Sequence, residues 1–255
     1  MSQGPRILTA LPVYNEARHV ARVLSRVLEY ADEILVVDDG SSDATVAEVA
    51  KFPSVRLVSH PVNRGYGAAL ATAFEYARER AFDVLVTIDC DGQHEPSLIP
   101  ALAGAVGNAW DMVSGSRYLK VFDDNTPPPV ERRKINATIT GELNERLGLS
   151  LTDAFCGFKA YRVPALADLA ITDFGYAMPL QVWVQAVASG WRIKEFPVPL
   201  VYLEEERSFG GSLDQAELRL AHYRDVIETE IAKFASALPV EAPPSTTGCE
   251  LGCQS

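Results

Sequence analysis

Apolar positions along the first half of the chain come in two alternating patterns. Short, nearly continuous apolar runs fall at residues 6–13, 33–38, 55–59, 82–89 and 110–115. Runs of this length, bounded by polar turns, predict strands buried on both faces. Between them lie stretches with helical spacing. Residues 15–30 place Val20, Val23, Leu24, Val27 and Leu28 on one face. Residues 42–51 predict a short helix with a Ser/Asp cap, and the Ala-rich 67–80 a longer one. Residues 96–106 begin with a proline suited to a first helical turn. This order predicts an α/β fold, a mostly parallel sheet flanked by helices on both faces.

The second half is less regular. Residues 122–129, with three prolines and Asp-Asp-Asn-Thr, predict a loop. Residues 131–147 predict a helix with a basic start and a thin apolar stripe, equally readable as a packing helix or an interfacial one. A short strand is expected over 153–161 and a helix over 179–189, ending at Gly190. Pro197 and Pro199 assign the extended run 192–203 to a sheet edge. Residues 213–237 predict a long helix. The Pro/Ser/Thr-rich stretch from 239 to 255 predicts a disordered tail, leaving residues 1–238 as one domain.

With 34 acidic against 23 basic residues, the chain carries a net charge of −11. That argues against non-specific nucleic-acid binding and a broad polybasic membrane surface. No run of eighteen apolar residues predicts a membrane span, and the N-terminus lacks the apolar core of a signal peptide. A cytoplasmic location is expected, with peripheral contact at the cytoplasmic membrane face left open. Cys90, Cys156, Cys249 and Cys253 are expected to form no structural disulfide.

The chemistry-bearing residues fall at the C-terminal tips of the expected strands, where open α/β sheets bind ligands. After Val84-Leu85-Val86 comes Thr87-Ile-Asp89-Cys-Asp91-Gly-Gln93-His94. Two carboxylates this close repel unless a cation lies between them. A hard divalent ion, Mg²⁺ or Mn²⁺, sharing its positions with phosphate oxygens, is the expected answer. His94 reads as a supporting or loop residue. Pro12-Val-Tyr14-Asn-Glu16 ends the first strand: Tyr14 and Glu16 can address a nucleoside, or Asn15 and Glu16 can cap a helix. Asp38-Asp39-Gly-Ser-Ser-Asp43 ends the second, where one aspartate can hold a nucleoside and the other order the turn. Asn63-Arg-Gly65-Tyr-Gly67 opens a helix with a glycine pair.

Taken together, these four motifs resemble family 2 glycosyltransferases of the GT-A fold, closest to the dolichyl- or polyprenyl-phosphate mannosyl/glucosyltransferase group. The resemblance runs over residues 5–215. Ser114-Gly-Ser-Arg117-Tyr118, Asp153-Ala-Phe-Cys-Gly157-Phe-Lys159 and Arg207-Ser-Phe-Gly210-Gly-Ser212 extend it. It implies that Pro12, Tyr14, Glu16 and Asp39, with Asp38 beside them, serve the nucleoside. Asp89, Asp91 and Gln93 would organise the metal and diphosphate. Arg117, Arg207 and Ser212 would hold the acceptor phosphate or donor diphosphate, and Asp153 would lie near the sugar or support the site. The chain departs from the group at Leu213, often basic there, and at Gln181, often Glu.

The expected activity is inverting, metal-dependent transfer of mannose or glucose from GDP-mannose or UDP-glucose to a polyprenyl phosphate. The alternatives are a soluble saccharide or small-molecule acceptor, with a carboxylate base such as Asp153, or a nucleotide-sugar-binding protein without turnover.

Overall fold

A computed structural model describes residues 4–107, 109–123, 125–126, 128–201 and 215–239. One seven-stranded sheet organises the chain, in the order β3-β2-β1-β4-β6-β5-β7. Its strands are β1 (Ile7–Val13), β2 (Glu33–Asp38), β3 (Arg56–Ser59), β4 (Val84–Thr87), β5 (Met112–Ser116), β6 (Lys159–Arg162) and β7 (Ile193–Pro197). All neighbours pair in parallel except β6, which runs antiparallel between β4 and β5. The expected strand over 153–161 is therefore displaced to Lys159–Arg162. Residues before it are committed to side-chain contacts described below. The Pro-bearing β7 lies at the edge, where a missing donor costs no ladder bond.

Alternate residues of each central strand feed separate cores. Leu8, Ala10, Leu35 and Val37 pack with α3 (Tyr66–Glu79), α5 (Val130–Leu147), α6 (Met178–Ala188) and α7 (Ala216–Phe234). Leu11, Val13, Ile34 and Val36 face the other way, onto α1 (Val20–Val27) and α4 (Ile99–Val106). This two-sided burial is why the strands read as continuous apolar runs. A short α2 (Thr45–Val49) joins β2 to β3.

Two expectations change. The first helix begins at Val20, not at residue 15. Asn15 adopts φ 54° and spends its side-chain carbonyl on the backbone N–H groups of Ser42 (2.9 Å) and Asp43 (3.3 Å). The loops after β1 and β2 are thus tied together, and Asn15 does not cap a helix. The apolar stripe of α5, Ile135, Ile139, Leu143 and Leu147, is buried in the core. That decides for the packing reading of this helix over the interfacial one. The expected tail beyond Pro239 lies outside the described residues.

Candidate active site

The C-terminal tips of β1, β2 and β4 open into a cleft of about 780 Å³. Pro12, Tyr14, Glu16, Asp39, Asp89 and Asp91 all line it. A smaller cavity of about 200 Å³ adjoins it through the shared residues Asp91, Arg132, Phe155 and Tyr223. Gln93 and Arg117 line this second space. Asp38 and Asp153 line neither. Arg207, Ser212 and Leu213 lie outside the described residues.

Asp38 is buried and accepts from the Ser41 backbone N–H at 3.2 Å, so it orders the turn. Its neighbour Asp39 faces the cleft. Oδ1 accepts from the Arg64 N–H (3.0 Å) and meets His60 Nδ1 at 2.6 Å, and Oδ2 accepts from the Gly65 N–H (2.7 Å). The other ring nitrogen of His60 meets Thr72 Oγ1 at 2.9 Å. A carboxylate oxygen has room for two donors, so Oδ2 keeps capacity for an N–H from the cleft. Gly65 allows this approach of loop to carboxylate. It sits at φ +104°, and a Cβ there would lie 2.3 Å from the Phe174 carbonyl oxygen.

Asp89 is held on two sides. Tyr66 donates its hydroxyl to Oδ1 at 2.9 Å, and His94 Nε2 meets Oδ2 at 3.2 Å. Burial works against its charge. The bond and charge of His94, the Tyr66 hydroxyl and the nearby Lys159 ammonium outweigh it and keep the carboxyl below its ordinary range. Burial, together with the Asp89 charge, pushes Tyr66 well up, so the phenol stays protonated and donating. Tyr176 stacks on Tyr66 with ring centroids 5.7 Å apart. Asp91 accepts from the Gln93 backbone N–H at 2.9 Å, which folds its loop back on itself. Gly157 passes directly behind Asp89: a Cβ there would stand 2.1 Å from Oδ2.

Arg117 meets the fully buried Asp153 through a two-pronged contact, Nε to Oδ2 at 2.6 Å and Nη2 to Oδ1 at 2.9 Å. Asn136 donates to Oδ1 at 2.7 Å, and the Phe155 N–H adds a further bond. Despite complete burial, the Arg117 charge and these bonds hold Asp153 down at about 2. The same pairing raises Arg117 above its already high value, against its burial. A carboxylate so weakly basic and facing neither cavity is a positioning group for Arg117.

Sequence reasoning missed several residues here. Tyr66 stood inside a motif read only for its glycines. Arg132 on α5, and Arg219 and Tyr223 on α7, reach the small cavity from helices far along the chain. Only the unusual burial of Arg219 hints at a role, and burial is invisible in sequence.

A divalent cation suits the donor set, since hard ions bind through one or two carboxylates plus substrate phosphates. Asp89 in the cleft and Asp91, which lines both spaces, offer such oxygens. Among the described residues no group of three or more His, Cys, Asp or Glu side chains could hold a metal by itself.

Comparison with known proteins agrees with this architecture. Over 231 residues the chain is 34% identical to an undecaprenyl-phosphate mannosyltransferase of Micrococcus luteus, spanning 86% of this chain and 93% of that protein. It is 29% identical to a polyprenol monophosphomannose synthase of Mycolicibacterium smegmatis, over 86% of each. Among solved structures, glucosyl-3-phosphoglycerate synthase from Mycobacterium tuberculosis, in complex with Mn²⁺, UDP and glucosyl-3-phosphoglycerate, shares the fold. The TM-score is 0.66 at 19% identity, covering 93% of this chain and 82% of that one. The family description Glycosyl transferase family 2 matches residues 9–170, and the chain belongs to that family of glycosyltransferases.

Proposed function

We propose that this glycosyltransferase moves a hexose from a nucleoside diphosphate sugar to a polyprenyl phosphate, with inversion at the anomeric carbon. The observation that carries the reading is the small cavity. Arg117, Arg132 and Arg219 line it, and Asp91 is its only acidic lining residue among those described. Guanidinium forks suit phosphate oxygens. A sugar hydroxyl acceptor needs a general base, whereas a phosphate monoester is already anionic near neutral pH. Positioning and charge cancellation then suffice. Asp153, the carboxylate considered as a base, is spent on Arg117. The names of the similar mannosyltransferases support the same acceptor class.

In this reading the nucleoside lies along Pro12, Tyr14 and Glu16, with Asp39 Oδ2 accepting from a base N–H. Asp89 and Asp91, with Gln93 beside them, would hold a Mg²⁺ or Mn²⁺ ion. When bound, that ion offsets the charge growing on the departing diphosphate. Tyr66 and His94 keep the Asp89 carboxylate oriented. The arginines of the small cavity aim the acceptor phosphate at the anomeric carbon, and Arg207 and Ser212 are expected to join them. No helix among the described residues is long and apolar enough to cross a membrane. A polyprenyl acceptor lies in a bilayer, so this reading has the protein meet it at the membrane surface, with the cytoplasmic face as the expected side.

The test is transfer by purified protein from GDP-mannose and UDP-glucose, in parallel, with and without a short-chain polyprenyl phosphate. Lipid-dependent release of one nucleoside diphosphate, lost in Asp91→Ala and Arg132→Ala, is expected. Turnover on soluble acceptors alone, or donor binding without turnover, overturns the reading.

A further inference from the structure

Around the mouth of the small cavity lies a surface unlike the rest of the chain. Val121 and Val130 are 85% and 83% exposed, the most exposed large apolar side chains among the described residues. Leu119 and Leu218 are each about half exposed. All four are near in sequence to residues that line the cavity: Leu119 and Val121 follow Tyr118, Val130 lies between Pro128 and Arg132, and Leu218 precedes Arg219. Arg133 lies over the Tyr118 ring at 3.7 Å, joining the loop to the start of α5. The Leu200 N–H donates to Asn125 Oδ1 at 2.9 Å, and the Thr126 N–H donates to the Leu200 carbonyl at 2.8 Å. Asn125 and Thr126 are thus tied to Leu200, which lines the cavity, while Val121 before them and Val130 at the start of α5 are exposed.

Charge marks the same place. Residues 117–134 hold five Lys or Arg against three Asp or Glu, in a chain with 23 against 34. Lys120 and Lys134 are exposed, alongside Asp123, Glu131 and Glu217, so the rim lacks a net positive excess. Isolated exposed apolar residues mean little, but an apolar cluster beside a cavity read as a lipid-phosphate site, with Lys120 and Lys134 within it, suits a membrane interface. Anionic headgroups attract such cations over about a Debye length.

We infer that Leu119, Val121, Val130 and Leu218, with Lys120 and Lys134, form a rim that seats the protein on an anionic bilayer. The inference rests on the polyprenyl-phosphate reading for its purpose. A lipid phosphate enters the small cavity head first from a rim already in the interface, and its chain stays among lipids.

The experiment is flotation of the full chain with phosphatidylglycerol/phosphatidylcholine vesicles that contain no polyprenyl phosphate and no donor. Wild type is expected to float with the vesicles and less so with phosphatidylcholine alone. Val121→Glu/Val130→Glu should lower the bound-to-free ratio at least tenfold, whereas Val62→Glu, an exposed valine lining neither cavity, should not. Turnover of a vesicle-embedded acceptor should fall in step in the double variant, with turnover of a water-soluble short-chain prenyl phosphate kept within twofold. Wild type that does not float, or a double variant that floats equally well, overturns the rim. So does a wild-type dimer that the double variant dissolves without any vesicle binding, which would assign the rim to self-association. Because flotation needs neither substrate, a protein that floats but transfers nothing would refute the activity and leave the rim standing.

Discussion

The backbone at Gly157 makes the sharpest prediction. The Gly157→Ala substitution adds one methyl group at a position where Cβ would stand 2.1 Å from Asp89 Oδ2 and 2.6 Å from Oδ1 and Cγ. Reaching even 3.0 Å, the limit of real Cβ contacts, moves the carboxylate or the Gly157 backbone by roughly 1 Å. The carboxylate cannot simply turn away. Tyr66 holds one oxygen and His94 the other. Nor can the peptide retreat freely, because the Gly157 carbonyl accepts the Thr87 hydroxyl at 2.8 Å from the adjacent strand. A shift of about 1 Å in a catalytic constellation costs on the order of 100-fold in rate, or about 2.7 kcal/mol of barrier. Overpacking itself costs about 1–3 kcal/mol of stability, a Tm lower by about 2–4 °C for each kcal/mol at this chain length.

The assay pairs steady-state transfer with nucleoside diphosphate binding and thermal unfolding. Gly157→Ala should lose about 100-fold in kcat/KM. Nucleoside affinity, which the proposed reading assigns to the tips of β1 and β2, should change less than about threefold. Gly104→Ala is the control: its Cβ meets nothing within 4 Å inside α4, so it should gain about 0.5–1 kcal/mol. Full activity in Gly157→Ala, with unchanged unfolding, would refute the claim that Asp89 must be held where it is.

Tyr66→Phe removes only the hydroxyl on Asp89. A hydrogen bond to a charged group is worth about 1.5–3 kcal/mol, so kcat/KM should fall at least about tenfold; a rate within twofold of wild type would remove Tyr66 from the site. Asp153→Asn leaves the guanidinium of Arg117 without its buried counter-charge and should cost about 3–5 kcal/mol in urea unfolding, against at most about 1 kcal/mol for Glu228→Gln in the exposed Arg146 pair. Asp111, buried beneath Arg162 and Arg192, sits at about 2 in the folded protein, where bonds to both arginines outweigh its desolvation. The ordinary unfolded value is about 3.9. A depressed carboxyl stabilises above the unfolded value and loses that contribution as pH falls through the folded one. Asp111→Asn should therefore cost up to about 2 kcal/mol at pH 7, less screening by its half-exposed partners, and about half as much at pH 3. Equal costs at the two pH values would contradict the assignment.

What could be read along the chain was what repeats locally. The strand tips were legible because a doubly covered strand is apolar throughout and its first polar residues mark where it leaves the sheet. That placed Pro12, Tyr14, Glu16, Asp39, Asp89 and Asp91 on one edge. Local signals failed where a distant partner decides. Residues 15–19 carry a helix-compatible pattern, yet Asn15 is taken by the loop after β2. Residues 153–158 lie where a strand was expected, and the Asp153 and Cys156 groups there serve Arg117 and the Lys159 ammonium. The small cavity is assembled from the loop after β4, the end of β5, and α5 and α7. No window of sequence contains it, so Arg132 and Arg219 had no local mark.

The departure at Gln181 shows how far such distant support extends. Gln181 is buried, and it is not in either cavity. Its carbonyl accepts from the N–H groups of Thr172 (2.9 Å) and Asp173 (2.8 Å). Its amide donates to the Thr172 hydroxyl and to Glu230, both at 2.8 Å. Glu230 is itself buried on α7, where Gln185 and Lys233 also meet it. A glutamate at 181 would set a second buried carboxylate against the first and lose both donated bonds. Glutamine is thus the residue that a buried Glu230 requires. The fixed 172–173 segment leads to Phe174, whose carbonyl accepts from the Gly67 N–H at 2.8 Å, and to Tyr176, stacked on Tyr66. Tyr66 in turn holds Asp89. A change that looked like erosion of catalytic machinery is one end of a continuous support running from α7 to the carboxylates. It gives no ground for reading the protein as a binder without turnover.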